Sequence, residues 1–132
     1  GVGIRGKAVS RLRGLLLCAA LTGCAQQDTV VLPGVGSGSL AAARSAFQQY
    51  GCTACHRIPG ITGADTHVGP PLDGLAPRRY LAGSIPNTPA NLVRWIQSPR
   101  SIAPGTAMPP VPVVREDAIA MAAYLYTLQE PE

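Results

Sequence analysis

Cysteines 52 and 55 stand three positions apart with a histidine beside the second, in the run Cys52-Thr53-Ala54-Cys55-His56. Two thiols at that spacing reach the two vinyl groups on one edge of a haem, and the adjoining imidazole is then held under the iron as an axial ligand. All three bonds together demand this spacing, so C-x-x-C-H marks covalent c-type haem attachment. A redox dithiol would call for a βαβ setting that the sequence does not offer. A zinc site would call for a second ligand pair at suitable spacing, and none follows.

The chain around these residues is short and poor in large apolar side chains. It has 132 residues with one Phe, one Trp and four Tyr, few for a domain that must bury enough surface to be stable, and a haem would supply the missing bulk. The formal charge of +4 is misleading in origin. Arg5, Lys7, Arg11 and Arg13 all precede residue 24, and without them seven arginines face seven acidic residues. The remainder is near neutral, lacks Lys, and gives no reason to expect nucleic-acid binding.

That first segment has the pattern of a targeting sequence. Basic residues through Arg13 precede an apolar run from Gly14 to Gly23 that is too short to span a bilayer as a stable helix, which predicts a signal peptide over residues 1–23. Leu21-Thr22-Gly23-Cys24 resembles a bacterial lipobox, in which cleavage before the Cys leaves it lipidated. Cys18 would leave with the signal, and several acyl chains on Cys24 would attach the protein firmly, each buried methylene contributing about 0.8 kcal/mol. Residues 24–38, rich in Gly, Ser and Gln, then have the composition of a flexible tether with a reach of at most about 50 Å.

Helices must deliver the chemistry over residues 39–132. Ser39 is suited to cap a helix running to Tyr50, with Leu40, Ala43, Phe47 and Tyr50 on one face and Gly51 as its stop, so Cys52 emerges directly from a helix end. Thr88-Pro89 opens a second helix with Leu92, Trp95 and Ile96 as its apolar stripe, ending before Pro99. A last helix is expected from about Glu116 to Leu128, with Glu116 and Asp117 at its dipole-favoured end and Ile119, Ala122, Ala123 and Tyr126 on one face. Between them the chain is rich in Pro and Gly, and strands are not expected to matter.

A helix, then C-x-x-C-H, then irregular chain with further helices resembles the class I cytochrome c family over residues 40–129, which implies an all-α fold of three to four helices around one covalent haem c. Gly69-Pro70 with Leu72 resembles the family's Gly-Pro-x-Leu element, implying that the Pro70 carbonyl accepts the other ring N–H of His56. Pro104-Gly105-Thr106-Ala107-Met108 resembles the Pro-Gly-Thr-x-Met segment and makes Met108 the candidate sixth ligand. From Leu81 to Met108 the resemblance is closest to the cytochrome c domain of caa3-type oxidase subunit II. A lipobox stands here where those fused proteins carry a transmembrane hairpin and a copper-binding domain.

The resemblance further implies that Arg78 pairs with a haem propionate, and that Phe47 and Tyr124 lie where the first and last helices cross. Trp95 is expected to pack against the haem with its N–H on a polar partner. Met121 is expected in the core, and His67 is a distant alternative for a bis-His site. With His56 and Met108 both bound, the iron has no open position, and its remaining chemistry is single-electron exchange, at a potential that Met ligation raises. The expected function is therefore a membrane-tethered, monohaem electron carrier on the periplasmic side of a bacterial membrane, as a monomer or a subunit of a complex. Its donor would be a quinol-oxidising complex or a dehydrogenase and its acceptor a terminal oxidase. The alternatives are a haem enzyme or gas sensor with an open iron position, and a structural subunit of an oxidase.

Overall fold

The computed structural model describes residues 1–3, 28–64 and 68–130; the signal segment from residue 4 onward, Cys24 and His67 lie outside the described residues. Among the described residues, four α-helices build the domain. Helix α1 (Leu40–Gln49) starts where Ser39 accepts a hydrogen bond from the Ala42 N–H, and Gly51 ends it in the left-handed region at φ 70°. Helix α2 (Pro89–Gln97) is capped by Thr88, with Pro89 where its missing N–H has no partner to lose. Ser98 breaks this helix and Pro99 begins a single further turn, α3 (Pro99–Ile102).

Helix α4 (Arg115–Leu125) begins beside the expected Glu116 but ends short of the expected Leu128. Val114 supplies extended backbone but no side-chain cap, and Glu116 and Asp117 alone offset the exposed N–H groups of the first turn. At the other end, Leu125, and not Leu128, is the last helical residue. Thr127 and Leu128 bond back to the carbonyls of Tyr124 and Leu125, a tightening that closes the helix, and the Leu128 carbonyl then accepts the Ala76 N–H at 3.0 Å.

The helices α1 and α4 form the main packing interface. Phe47 meets Tyr124 edge to face with ring centroids 5.6 Å apart, and the Arg44 guanidinium lies over the tyrosine ring, 5.0 Å from its centroid. The Tyr124 hydroxyl donates to the Pro59 carbonyl at 2.6 Å, tying the loop after the C-x-x-C-H turn to the crossing point. At the C-terminal cap of α1, the Tyr50 hydroxyl donates to Asp117 at 2.8 Å, and this bond to a carboxylate pushes the phenol above its ordinary range.

Strands do matter here, which corrects the sequence expectation. Residues 29–39, expected to lie mostly in a flexible tether, form an antiparallel hairpin of β1 (Thr29–Leu32) and β2 (Gly36–Ser39), with Thr29 opposite Ser39 and Leu32 opposite Gly36. Leu32 is buried, and the hairpin packs on α4. This second covering element explains why α4 is buried nearly all round, from Ala118 through Leu125, where a surface helix would keep one polar face. A second hairpin joins β3 (Tyr80–Leu81) to β4 (Ile85–Pro86).

The contact between the first hairpin and α4 is close enough to test. A Cβ on Gly38 would stand 2.7 Å from both the Ala120 Cα and the Ala123 methyl. Gly38→Ala is expected to push the hairpin off the helix at a cost of about 1–3 kcal/mol, typical of overpacking. A drop in the thermal midpoint with an unchanged haem spectrum is the result expected in circular dichroism and absorbance melts.

Candidate haem site

The C-x-x-C-H run is positioned by one 3₁₀ turn, Cys52–Ala54, that follows directly from the end of α1. The His56 N–H bonds to the Cys52 carbonyl at 3.0 Å, so the histidine sits one turn beyond the first cysteine. Cys52 and Cys55 are not joined in a disulfide, and both are partly buried. Burial pushes the Cys52 thiol up from its ordinary value, and Cys55 nearby adds to this.

The segment 69–73 is fastened to this turn at four points. The Gly69 N–H donates to the Cys55 carbonyl at 2.8 Å and the Leu72 N–H to the Arg57 carbonyl at 2.9 Å. Arg57 pairs with the buried carboxylate of Asp73 at 2.9 Å. Between these ties, His56 Nδ1 lies 2.8 Å from the Pro70 carbonyl. A carbonyl only accepts, so Nδ1 carries the proton and Nε2 keeps its lone pair free for a metal. Gly69 makes room for the ring, since a Cβ there would stand 2.5 Å from His56 Cε1.

The two cysteines, His56, Gly69, Pro70 and Leu72 open on one cleft of about 660 Å³, within the size range of small-molecule and cofactor sites, about 300–1,000 Å³. Cys52, Cys55 and His56 line it, as do Pro70, Arg78, Trp95 and Met108. These seven residues, each expected at the haem from the sequence, therefore reach the same space. The loop that carries Met108 is set by two turns. Thr106 N–H bonds to the Ala103 carbonyl at 2.9 Å, and the Met108 N–H bonds to the Thr106 hydroxyl at 3.2 Å.

Arg78 is held at the cleft by its own loop. Its Nη2 donates to the carbonyls of Pro71 and Asp73, both at 2.7 Å. Asn87 donates to the carbonyls of Leu75 and Arg78, each at 2.9 Å, and accepts from the Tyr126 hydroxyl at 2.7 Å. That network satisfies both ends of the Asn87 amide and ties the loop carrying Arg78 to the end of α4.

Sequence reasoning missed part of the wall. Tyr80, Leu81 and Ala82 reach the cleft from the β3–β4 hairpin, and Met121 and Leu125 reach it from α4. Met121 is as buried as expected of a core residue, yet it also lines the cleft. The helical signal was present for it, because Met121 and Leu125 are four residues apart and so share a face.

An apolar cleft, two thiols on a 3₁₀ turn and an imidazole with its Nε2 free define a haem-binding domain of the class I cytochrome c type. The chain belongs to the cytochrome c family, whose family model matches residues 40–129. It thus binds haem c covalently and is an electron carrier rather than an enzyme. Cytochrome c2 from Rhodobacter sphaeroides has a similar structure, with a TM-score of 0.54 at 20% identity over 72% of this chain and 99% of the other. No curated protein sequence matches the chain.

Proposed function

We propose that this cytochrome is a lipid-anchored, single-haem carrier that passes electrons one at a time toward a terminal oxidase on the periplasmic side of a bacterial membrane. The observation that carries this reading is the convergence of His56 and Met108 on one cleft with both cysteines. Two protein ligands would saturate the iron and leave electron exchange as its remaining chemistry.

In this assignment Cys52 and Cys55 would hold the haem through two thioether bonds. His56 would bind the iron through Nε2, with the Pro70 carbonyl holding the ring in orientation and raising its basicity. Met108 would be the soft second ligand, offered from its loop. Arg78 has guanidinium N–H groups beyond the Nη2 already bonded to backbone, and these suit a propionate. Trp95 contributes a half-buried aromatic surface to the cleft. The haem supplies the one-electron couple, while the chain excludes water from it and keeps both ligands in place.

The resemblance of residues 81–108 to the cytochrome c domain of caa3-type oxidases supports a terminal oxidase as the acceptor in this proposal, and the donor would be a quinol-oxidising complex or a dehydrogenase. Reduction by a quinol-oxidising complex and re-oxidation by a purified oxidase, each followed in stopped flow, test this placement. Re-oxidation no faster than by dissolved oxygen alone would remove the oxidase from the scheme.

Anchoring rests on Leu21-Thr22-Gly23-Cys24. Cys24→Ser is expected to release the haem domain from membranes or to leave an uncleaved precursor, because Ser offers no thiol for the lipid. Fractionation of cells expressing the variant checks this, and a processed variant that stays with membranes as the parent does would refute the lipobox.

A further inference from the structure

The first hairpin and the haem cleft lie on opposite sides of helix α4. Gly36 and Gly38 of β2 back onto Ile119, Ala120 and Ala123, whereas Met121 and Leu125 face the cleft. At about 100° per residue, the centres of these two sets are roughly 175° apart around the helix.

The same hairpin is where the chain enters the domain. The Asp28 carbonyl accepts a hydrogen bond from the Leu40 N–H at 2.9 Å, so the backbone is fastened to the start of α1 from residue 28 onward. Four peptide steps separate Asp28 from Cys24, and even fully extended they reach only about 14 Å. A composition that suggested a long tether thus conceals a short one. Residues 29–43 carry no charged side chain, so the hairpin itself brings no ion to a headgroup surface, and the exposed Asp28 at its base is the nearest charge. Val31, 71% exposed, stands on the hairpin as an apolar contact for that surface.

We propose that the acylated Cys24 holds the domain with its β1–β2 hairpin against the lipid surface and its haem cleft on the far side of α4. This proposal rests on the lipid-anchor reading. The hairpin acts as a spacer and an orienting foot: about one helix diameter of protein, roughly 10 Å, separates it from the haem side. The electron partner must then present its docking site above the bilayer and not within the headgroup layer.

The experiment uses acylated, haem-loaded protein in vesicles of phosphatidylethanolamine and phosphatidylglycerol, reduced so that the low-spin iron is diamagnetic. A nitroxide is placed at Val31→Cys in one chain and at Arg79→Cys in another; Arg79 is exposed between two residues that line the cleft. Each is compared with a counterpart carrying a dozen Gly and Ser residues inserted between Gln27 and Asp28, which stays anchored but is free to turn. The label at 31 is expected to be several-fold less accessible to a water-soluble nickel chelate in the native-length chain than in the extended one. The label at 79 is expected to be equally accessible in both. Equal accessibility at 31, or protection at 79 instead, overturns the orientation while leaving the anchor intact. Mass spectrometry separates the two readings: a chain with no acyl group on Cys24 overturns the anchor, and the orientation with it.

Discussion

Cells producing Cys52→Ala or Cys55→Ala are expected to yield protein that retains haem weakly or loses it on denaturation, and His56→Ala is expected to prevent a normal holoprotein from accumulating. The size of the effect follows from the cleft. Empty space in a core costs about 24 cal/mol per Å³. On that scale a cavity of about 660 Å³ corresponds at most to something on the order of 15 kcal/mol, as large as the whole stability of a typical domain, about 5–15 kcal/mol. The cleft takes its walls from α1, α2, α4 and the β3–β4 hairpin, so its filling concerns the entire domain. The variants should therefore lose cooperative thermal unfolding along with haem. Haem-stained denaturing gels and circular dichroism melts of the single and double cysteine variants check both outcomes. Full covalent haem in the double variant would remove the thioether assignment.

The parts of this molecule that were legible in the sequence are those fixed by covalent chemistry or by a local cap. Cys52, Cys55 and His56 can serve one haem only at that spacing, and Ser39 and Thr88 begin helices through hydrogen bonds that reach three residues along the chain. The β1–β2 hairpin was hidden because its strands are four residues each and β2 is all Gly and Ser, which leaves no alternation to detect. A signal did exist in Pro33-Gly34, which takes the central positions of a turn closed by the Val35 N–H on the Leu32 carbonyl, with Gly34 at φ 72°. Composition alone sent those residues to a linker. The true length of α4 was obscured for a related reason: what buries its second face is that hairpin, and what ends it is a pair of bonds from Thr127 and Leu128 with no Gly or Pro to announce them. The far wall of the cleft was also unreadable, since Tyr80 and Leu81 reach it through a turn in which Ala82 takes φ 49°, a conformation for which its residue type gives no warning.

Met108→Ala is expected to keep haem bound through Cys52 and Cys55 while opening one face of the iron. The loop around the residue should survive, because the bond to the Thr106 hydroxyl comes from the Met108 backbone N–H and Ala retains that group. The change is therefore confined to the sulfur. A thioether is a soft donor that favours ferrous iron, and its loss should lower the reduction potential by something on the order of 0.1–0.3 V, within the roughly 0.8 V over which axial ligands set haem potentials. At about 59 mV per tenfold change for one electron, that is a shift of some two to five decades in the redox equilibrium, enough to disable transfer to a high-potential acceptor. Ferric parent protein should show a weak near-infrared charge-transfer band from sulfur to iron that the variant lacks. The reduced variant should bind carbon monoxide readily, whereas the parent should not. A parent protein that lacks the band and takes up carbon monoxide would remove Met108 as a ligand, and with it the saturated iron on which the proposed carrier function depends.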